Sequence, residues 1–442
     1  MTTSIENDVN KSTRAADGYL RQSGDRDSGV KNDRLVRSSF VMMTTFATMG
    51  IFGFGFSVVV ARTFTPEQVG VGTSLISAAS LIAYLSLFGL NWTIVRFIAN
   101  SENANAQITY SLLTVASLGV VFSGIYVMLV PHYAPALSFI RENPACAAGF
   151  IVVGALSAMN LLRASIFIGT RRPEYNLLID GVVQGTTKVI LPFMCIGLGA
   201  YGVFASNGGA SLIAVVASIL CLRRGGFRFD FRREAVITRA QLSYSLSGYL
   251  SMAFAIVPVM ALPLIALHTL GSAQAGYFYL TFQIANLVYG LSYAAGEALL
   301  SEGSFDETRI VSLVKRSALL LLALQSVGVI IVIVGSWFIL SVFGRGYAEH
   351  GEHLLQILGV GAIAVTLNSL AGYVLKILKL LKSMIASNVV LGVVTTGLAA
   401  LWCPRGLEWL GWAWLCGQLA AAIYGVLAVA VYYRNVRAAK AD

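Results

Sequence analysis

Lys188 is the residue whose surroundings most call for an explanation. It stands in the run Tyr175 to Gly199, YNLLIDGVVQGTTKVILPFMCIGLG, where long apolar stretches flank it and Asp180 is the one acidic residue. A cation in hydrocarbon is costly, so it faces a protein interior or a watery cavity. Asp180, Gln184 and Lys188 are four residues apart, which on a helix makes one polar stripe, with Gly181 and Gly185 beside it. At about 1.5 Å per residue, Lys188 would lie roughly 15–20 Å inside a spanning helix, near mid-depth. Lysine suits a phosphate as a point charge, and arginine binds one bidentately. The chemistry indicated is reversible capture of an anionic group. Lys188 is the mid-depth contact, Asp180, Gln184 and Asn160 are polar lining, and Arg163 and Arg172 form a capture site near the entry. Two bland alternatives stay open: Lys188 pins helices together, and Arg163 only reaches toward an interface. Glu297, in the second half, is a candidate site for a coupling cation or proton; a helix-end ion pair with Arg309 is its alternative.

The elements that must position these residues follow from composition. The chain has 442 residues, 12% charged and 57% apolar, with a mean hydropathy of +0.74. Soluble domains carry about 25% charged residues. The apolar runs are continuous and near 20 residues, not alternating, so the fold class is an all-α polytopic membrane protein, not a barrel. Twelve spans are predicted: 40–61, 70–90, 107–130, 146–168, 176–199, 202–222, 246–267, 278–299, 317–341, 355–375, 384–403 and 411–432. Residues 1–38 are a polar, disordered cytoplasmic tail without a signal-peptide core. Residues 39–222 form one six-helix bundle, 223–244 a basic cytoplasmic linker, 245–433 a second six-helix bundle, and 434–442 a cytoplasmic tail.

Charge placement tests the count. With the first tail inside, 26 of the 31 Lys and Arg fall on inner segments. Arg62, Arg141, Arg345 and Arg405 fall outside, and Lys188 falls within a span. That bias is the positive-inside rule. It places both termini in the cytoplasm and explains the net charge of +10 as topology, so no nucleic-acid partner is indicated.

The halves echo each other. Arg62-Thr63-Phe64-Thr65-Pro66-Glu67-Gln68-Val69-Gly70 aligns with His268-Thr269-Leu270-Gly271-Ser272-Ala273-Gln274-Ala275-Gly276, and Val182-Val183-Gln184-Gly185 with Val389-Val390-Leu391-Gly392. Six spans per half give both copies the same orientation, so a pseudo-two-fold axis along the membrane normal is predicted. Trp402, Trp409, Trp412 and Trp414 read as an interfacial belt. The run Glu349-His350-Gly351-Glu352-His353 reads as a solvated outer loop, with no further ligand evident for a metal. The five cysteines form no CxxC pair and read as packing residues.

The pattern Ala61-Arg62…Pro66-Glu67…Gly70, then Gly89-Leu90…Arg96-Phe97-Ile98-Ala99, resembles the opening of bacterial polysaccharide-biosynthesis membrane proteins. These are the O-antigen and exopolysaccharide flippases of the multidrug/oligosaccharidyl-lipid/polysaccharide (MOP) exporter superfamily. The resemblance covers the span layout over residues 35–435. It implies two bundles flanking a central cavity in the cell inner membrane. It also implies transfer of an undecaprenyl-diphosphate-linked oligosaccharide between leaflets, with membrane lipids, a polysaccharide polymerase and export machinery as partners. Spans 40–61 and 70–90 carry no charge, unlike the early helices of the lipid II flippases of that superfamily.

No hydrolase triad, Walker loop or HExxH is present, so neither an enzyme nor an ATPase is indicated and no cofactor is called for. A drug or organic-cation antiporter of the same superfamily would want deep acidic residues. A membrane glycosyltransferase or polymerase would want a large outer loop, and outer loops here are short.

Overall fold

The computed structural model describes residues 41–232, 239–303 and 310–438. Among them there is no strand, and twelve long helices follow one another: α1 Val41–Thr63, α2 Pro66–Ser86, α3 Ala104–Tyr133, α4 Pro144–Gly169, α5 Glu174–Met194, α6 Ala200–Arg224, α7 Arg239–Leu270, α8 Ser272–Gly303, α9 Ile310–Ser341, α10 Arg345–Ile377, α11 Leu381–Trp402 and α12 Glu408–Ala438. Eleven of these contain a stretch long and apolar enough to cross a membrane; α8 is the long helix outside that set. Large apolar side chains such as Met128, Val334 and Leu401 point outward, as a lipid-facing surface requires.

Helix boundaries follow from local chemistry. Thr65 caps α2, its hydroxyl accepting from the Gln68 N–H while the Gln68 side chain accepts from the Thr65 N–H, and Pro66 fills the first position. Asn143 and Pro144 start α4 in the same manner. α4 and α10 end alike. The N–H of Arg172 bonds the Phe167 carbonyl and that of Leu380 the Leu375 carbonyl. The residues just before, Arg171 (φ 59°) and Lys379 (φ 57°), are left-handed. These are Schellman closures with a basic residue where glycine is usual.

α2 is the pivot of the molecule. It packs on α3, α4 and α6 of the first bundle and also on α7 and α8 of the second. Its small residues, among them Gly70, Gly72, Ser74 and Ala78, permit that close approach. α10 packs on α8, α9 and α12, and α11 on α7 and α12, giving the second bundle.

The bundles meet most closely at the end opposite the basic loops. A Cβ on Gly70 would fall 1.7 Å from the Ser272 carbonyl oxygen, and one on Gly276 would fall 2.4 Å from that of Pro66. These contacts are reciprocal between the two repeat-aligned segments. At the same end Arg62 donates from Nε to the Val342 carbonyl (2.9 Å) and from Nη2 to that of Ser341 (3.1 Å), and Phe54 meets Phe343 edge-on.

Two details depart from the sequence reading, and two add to it. Trp414 is not in a surface belt but in the core, against Phe282 and Tyr289; Trp412 is exposed. The Glu349–His353 run lies inside α10, where His350 stacks on Tyr277 and Glu349 pairs with Arg345. α7 begins at Arg239, ahead of the predicted bundle start at 245. The described part of the linker folds back on α3, the Tyr110 hydroxyl donating to the Phe231 carbonyl and the Asp230 N–H to Thr109 Oγ1. Beside it Arg232 bonds the Asp230 carboxylate and holds its pKa below the ordinary carboxylate value.

Candidate functional site

Gly181 and Gly185 bring α5 against α1: a Cβ on Gly181 would meet Thr48, and one on Gly185 would sit 2.6 Å from the Phe52 ring. The opposite face of α5 then turns toward α4 and α6. Leu177–Gln184 of this helix is π-helical, a wider turn that often marks functional sites.

On that face four of the candidate residues form one connected network. Arg163 is buried and ion-paired with Asp180 through Nη2. Its Nε donates to Asn160 Oδ1 (2.9 Å) and its Nη1 to Asn176 Oδ1 (3.5 Å). Asn160 Nδ2 donates to Gln184 Oε1 (3.4 Å), and Gln184 Nε2 to Ser211 Oγ on α6 (3.4 Å). Asn176 is anchored in turn to the Ala164 carbonyl (3.1 Å). Sequence reading found Asn160, Arg163, Asp180 and Gln184. It missed Asn176 and Ser211, whose roles depend on neighbouring helices. Arg163 is no interfacial side chain: its guanidinium is neutralised and its donors are directed inside the bundle.

Lys188, one turn beyond Gln184, is half-buried. Among the described residues it makes no hydrogen bond or ion pair. It lines neither of the two cavities described below. Arg172 is exposed and rests against Gly225, apart from the network. The side chain of Glu297 lies outside the described residues, as does Arg309.

The larger cavity, about 470 Å³, lies in the second bundle. It runs from the end bearing the basic loops, at Gly248, Lys376 and Leu381, to Val259, Leu391 and Trp414 at greater depth. Asn388 Nδ2 donates to Ser251 Oγ (2.8 Å) and Asn368 Nδ2 to Gln418 Oε1 (2.8 Å) on its walls. One wall comes from the first bundle: Trp92, in the short helix Leu90–Phe97 that follows α2. Neutral amides carry no charge signal in a sequence, so this site went unread. A smaller cavity of about 160 Å³ lies between α1 and α8, lined in part by Gln283 and Asn286.

Residues 35–300, more than half of the chain, match the model of the family described as polysaccharide biosynthesis protein. The chain belongs to that family. No curated protein matches it. Solved structures show the fold. An inward-facing multidrug resistance MATE family transporter of the MOP superfamily matches at 14% identity with a TM-score of 0.69, covering 88% of this chain and 95% of its own. An outward-facing one matches at 15% and 0.64, covering 91% and 96%. A MOP superfamily transporter from Pyrococcus furiosus, described as having a binding pocket of reverse polarity, matches at 14% and 0.62, covering 89% and 94%. Family membership, the apolar helices and this two-bundle fold make the protein a multi-pass membrane protein of the polysaccharide-biosynthesis family.

Proposed function

We propose that this protein is a transporter, a flippase moving an undecaprenyl-diphosphate-linked oligosaccharide from the inner to the outer leaflet for surface polysaccharide synthesis. It works by alternating access of its two bundles, related by an axis along the membrane normal. The basic end faces the cytoplasm, both termini lie there, and the membrane is the cell inner membrane. A polysaccharide polymerase and export machinery receive the product.

The observation that carries this reading is Lys188. In a spanning helix of a polysaccharide-biosynthesis protein it is half-buried and, among the described residues, makes no hydrogen bond or ion pair, its nearest counter-charge being Asp180 on the same stripe. A cation there whose nearest counter-charge is already engaged by Arg163 serves an anionic traveller, here the diphosphate. Asn160, Arg163, Asp180 and Gln184 hold the helix that presents it. Arg172, at the cytoplasmic turn, meets the head group first.

Lys188→Ala should abolish surface polysaccharide while membrane abundance stays normal, and Lys188→Arg should retain a measurable part. Normal polysaccharide from the alanine variant sinks the assignment.

A second reading, an organic-cation antiporter, is favoured by the multidrug transporters among the fold relatives. It would place the coupling ion at Glu297. In that case Glu297→Gln changes the pH dependence of transport, and an unchanged profile removes it.

A further inference from the structure

The cavity of the second bundle has a polar lining of an unusual kind for a membrane interior. Among the described residues its lining includes no carboxylate, and Lys376 is the one cation. That lysine sits at the mouth with Nζ 4.6 Å from the centre of the Tyr373 ring. Deeper in, polarity comes from amides and hydroxyls. Among the described lining residues an organic cation would find no counter-charge, and a diphosphate no deep positive charge.

The amides are not fully engaged with one another. Gln418 is 2% exposed and accepts from Asn368, yet among the described residues its Nε2 donates to nothing. Asn388 gives one N–H to Ser251, and among the described residues its Oδ1 takes no bond. An amide offers two donors and two acceptor lone pairs. Each therefore keeps capacity of both kinds beside the cavity. Trp92, 42% exposed, contributes its indole to another part of the wall, beside Gly248.

Groups that both donate and accept, facing an aromatic plane, match one ligand chemistry. A pyranose ring carries hydroxyls that donate and accept, and a C–H face that lies on aromatic surface. The volume is within the ~300–1,000 Å³ of small-molecule sites. We propose that this cavity binds an uncharged sugar unit of the transported molecule, with Asn368, Asn388 and Gln418 reading its hydroxyls and Trp92 covering its apolar face. This rests on the reading of the protein as a carrier of a sugar-bearing lipid. It separates the tasks: the first bundle answers the charge and the second the glycan. Because Trp92 belongs to the first bundle, relative movement of the bundles would open or close the pocket.

The test uses the full chain in lipid nanodiscs, titrated with a panel of methyl hexopyranosides and N-acetylhexosaminides, followed by tryptophan fluorescence and calorimetry. At least one sugar should bind saturably. Asn388→Leu should weaken it about tenfold or more, a loss of ~1.4 kcal/mol. A Cβ on Gly372 meets nothing within 4 Å and enters the cavity, so Gly372→Leu should fill the space without disturbing the packing. That variant should keep the unfolding temperature and lose the sugar. Lys188→Ala should bind sugar as the unaltered chain does.

Failure of every sugar to bind overturns the proposal, as does binding that survives Gly372→Leu. So does a pocket that takes tetraphenylphosphonium and no sugar. None of these bears on Lys188, whose export test stands alone. Conversely, normal export from Lys188→Ala together with sugar binding lost in Gly372→Leu would remove the charge site and keep the pocket.

Discussion

Arg163 and Asp180 are worth more together than either is alone. Two charges inside a spanning bundle give up their hydration, and the ion pair with its hydrogen bonds to Asn160 and Asn176 offsets that cost only while both partners remain. Asp180→Ala should therefore destabilise by on the order of 3–5 kcal/mol, because it strands a buried guanidinium. The double variant Arg163→Met with Asp180→Ala should recover most of that. Thermal unfolding of the purified protein reads both, and a double variant losing the sum of the singles would refute the coupling. The stripe of Asp180, Gln184 and Lys188 was legible because residues four apart share a helix face. Their partners were not, since Asn176 and Ser211 reach the network from another turn and another helix. Nor does spacing show that Asp180 and Gln184 are satisfied within the bundle while Lys188 is left over.

At the scale of elements, charge distribution did most of the work: basic loops alternate with neutral ones, and the long helices fall between them. What charge cannot report is which face of a helix meets which neighbour. Trp414 has the composition of a belt residue yet is core, because α12 turns it toward Phe282 and Tyr289. The π-helical segment of α5 is equally silent in sequence. The glycines of that helix are more informative in the structure. Gly185 meets the Phe52 ring of α1, and its repeat partner Gly392 meets the Phe254 carbonyl of α7, so the fifth helix of each half presses on the first through a glycine. A methyl on Gly185 would fall 2.6 Å from a ring that must then move. Gly185→Ala should cost about 1–3 kcal/mol as overpacking. Adding Phe52→Leu should return part of it, again by thermal unfolding. No loss in Gly185→Ala would mean that α1 and α5 do not seat as described.

Among the described residues the molecule is closed at the end opposite the basic loops, while nearer the basic end the bundles also meet, the Tyr249 hydroxyl donating to the Leu85 carbonyl (2.8 Å). Across the closed end, two segments that align as a repeat touch each other backbone to backbone, Gly70 against Ser272 and Gly276 against Pro66. Arg62 fastens the same end by donating to the last carbonyls of α9, where a helix C-terminus favours a cation. The cavity of the second bundle extends toward the opposite, basic end. In the proposed alternating-access cycle this end must open as a unit. The contact at Gly70 involves backbone atoms, which no side-chain rotation can move aside. Gly70→Val should therefore part the bundles, not merely repack them. Ser74, one turn further along α2 and fully buried against the Pro263 carbonyl at 3.5 Å, reports the parting. In a chain whose five cysteines are replaced by serine, Ser74→Cys should resist a membrane-impermeant maleimide added from the closed side. With Gly70→Val added, it should label readily. Arg62→Ala should raise labelling less, since it removes hydrogen bonds at an exposed position and leaves the glycine contact intact. Equal protection of Ser74→Cys with and without Gly70→Val would show that the glycine contact is not what holds this end shut.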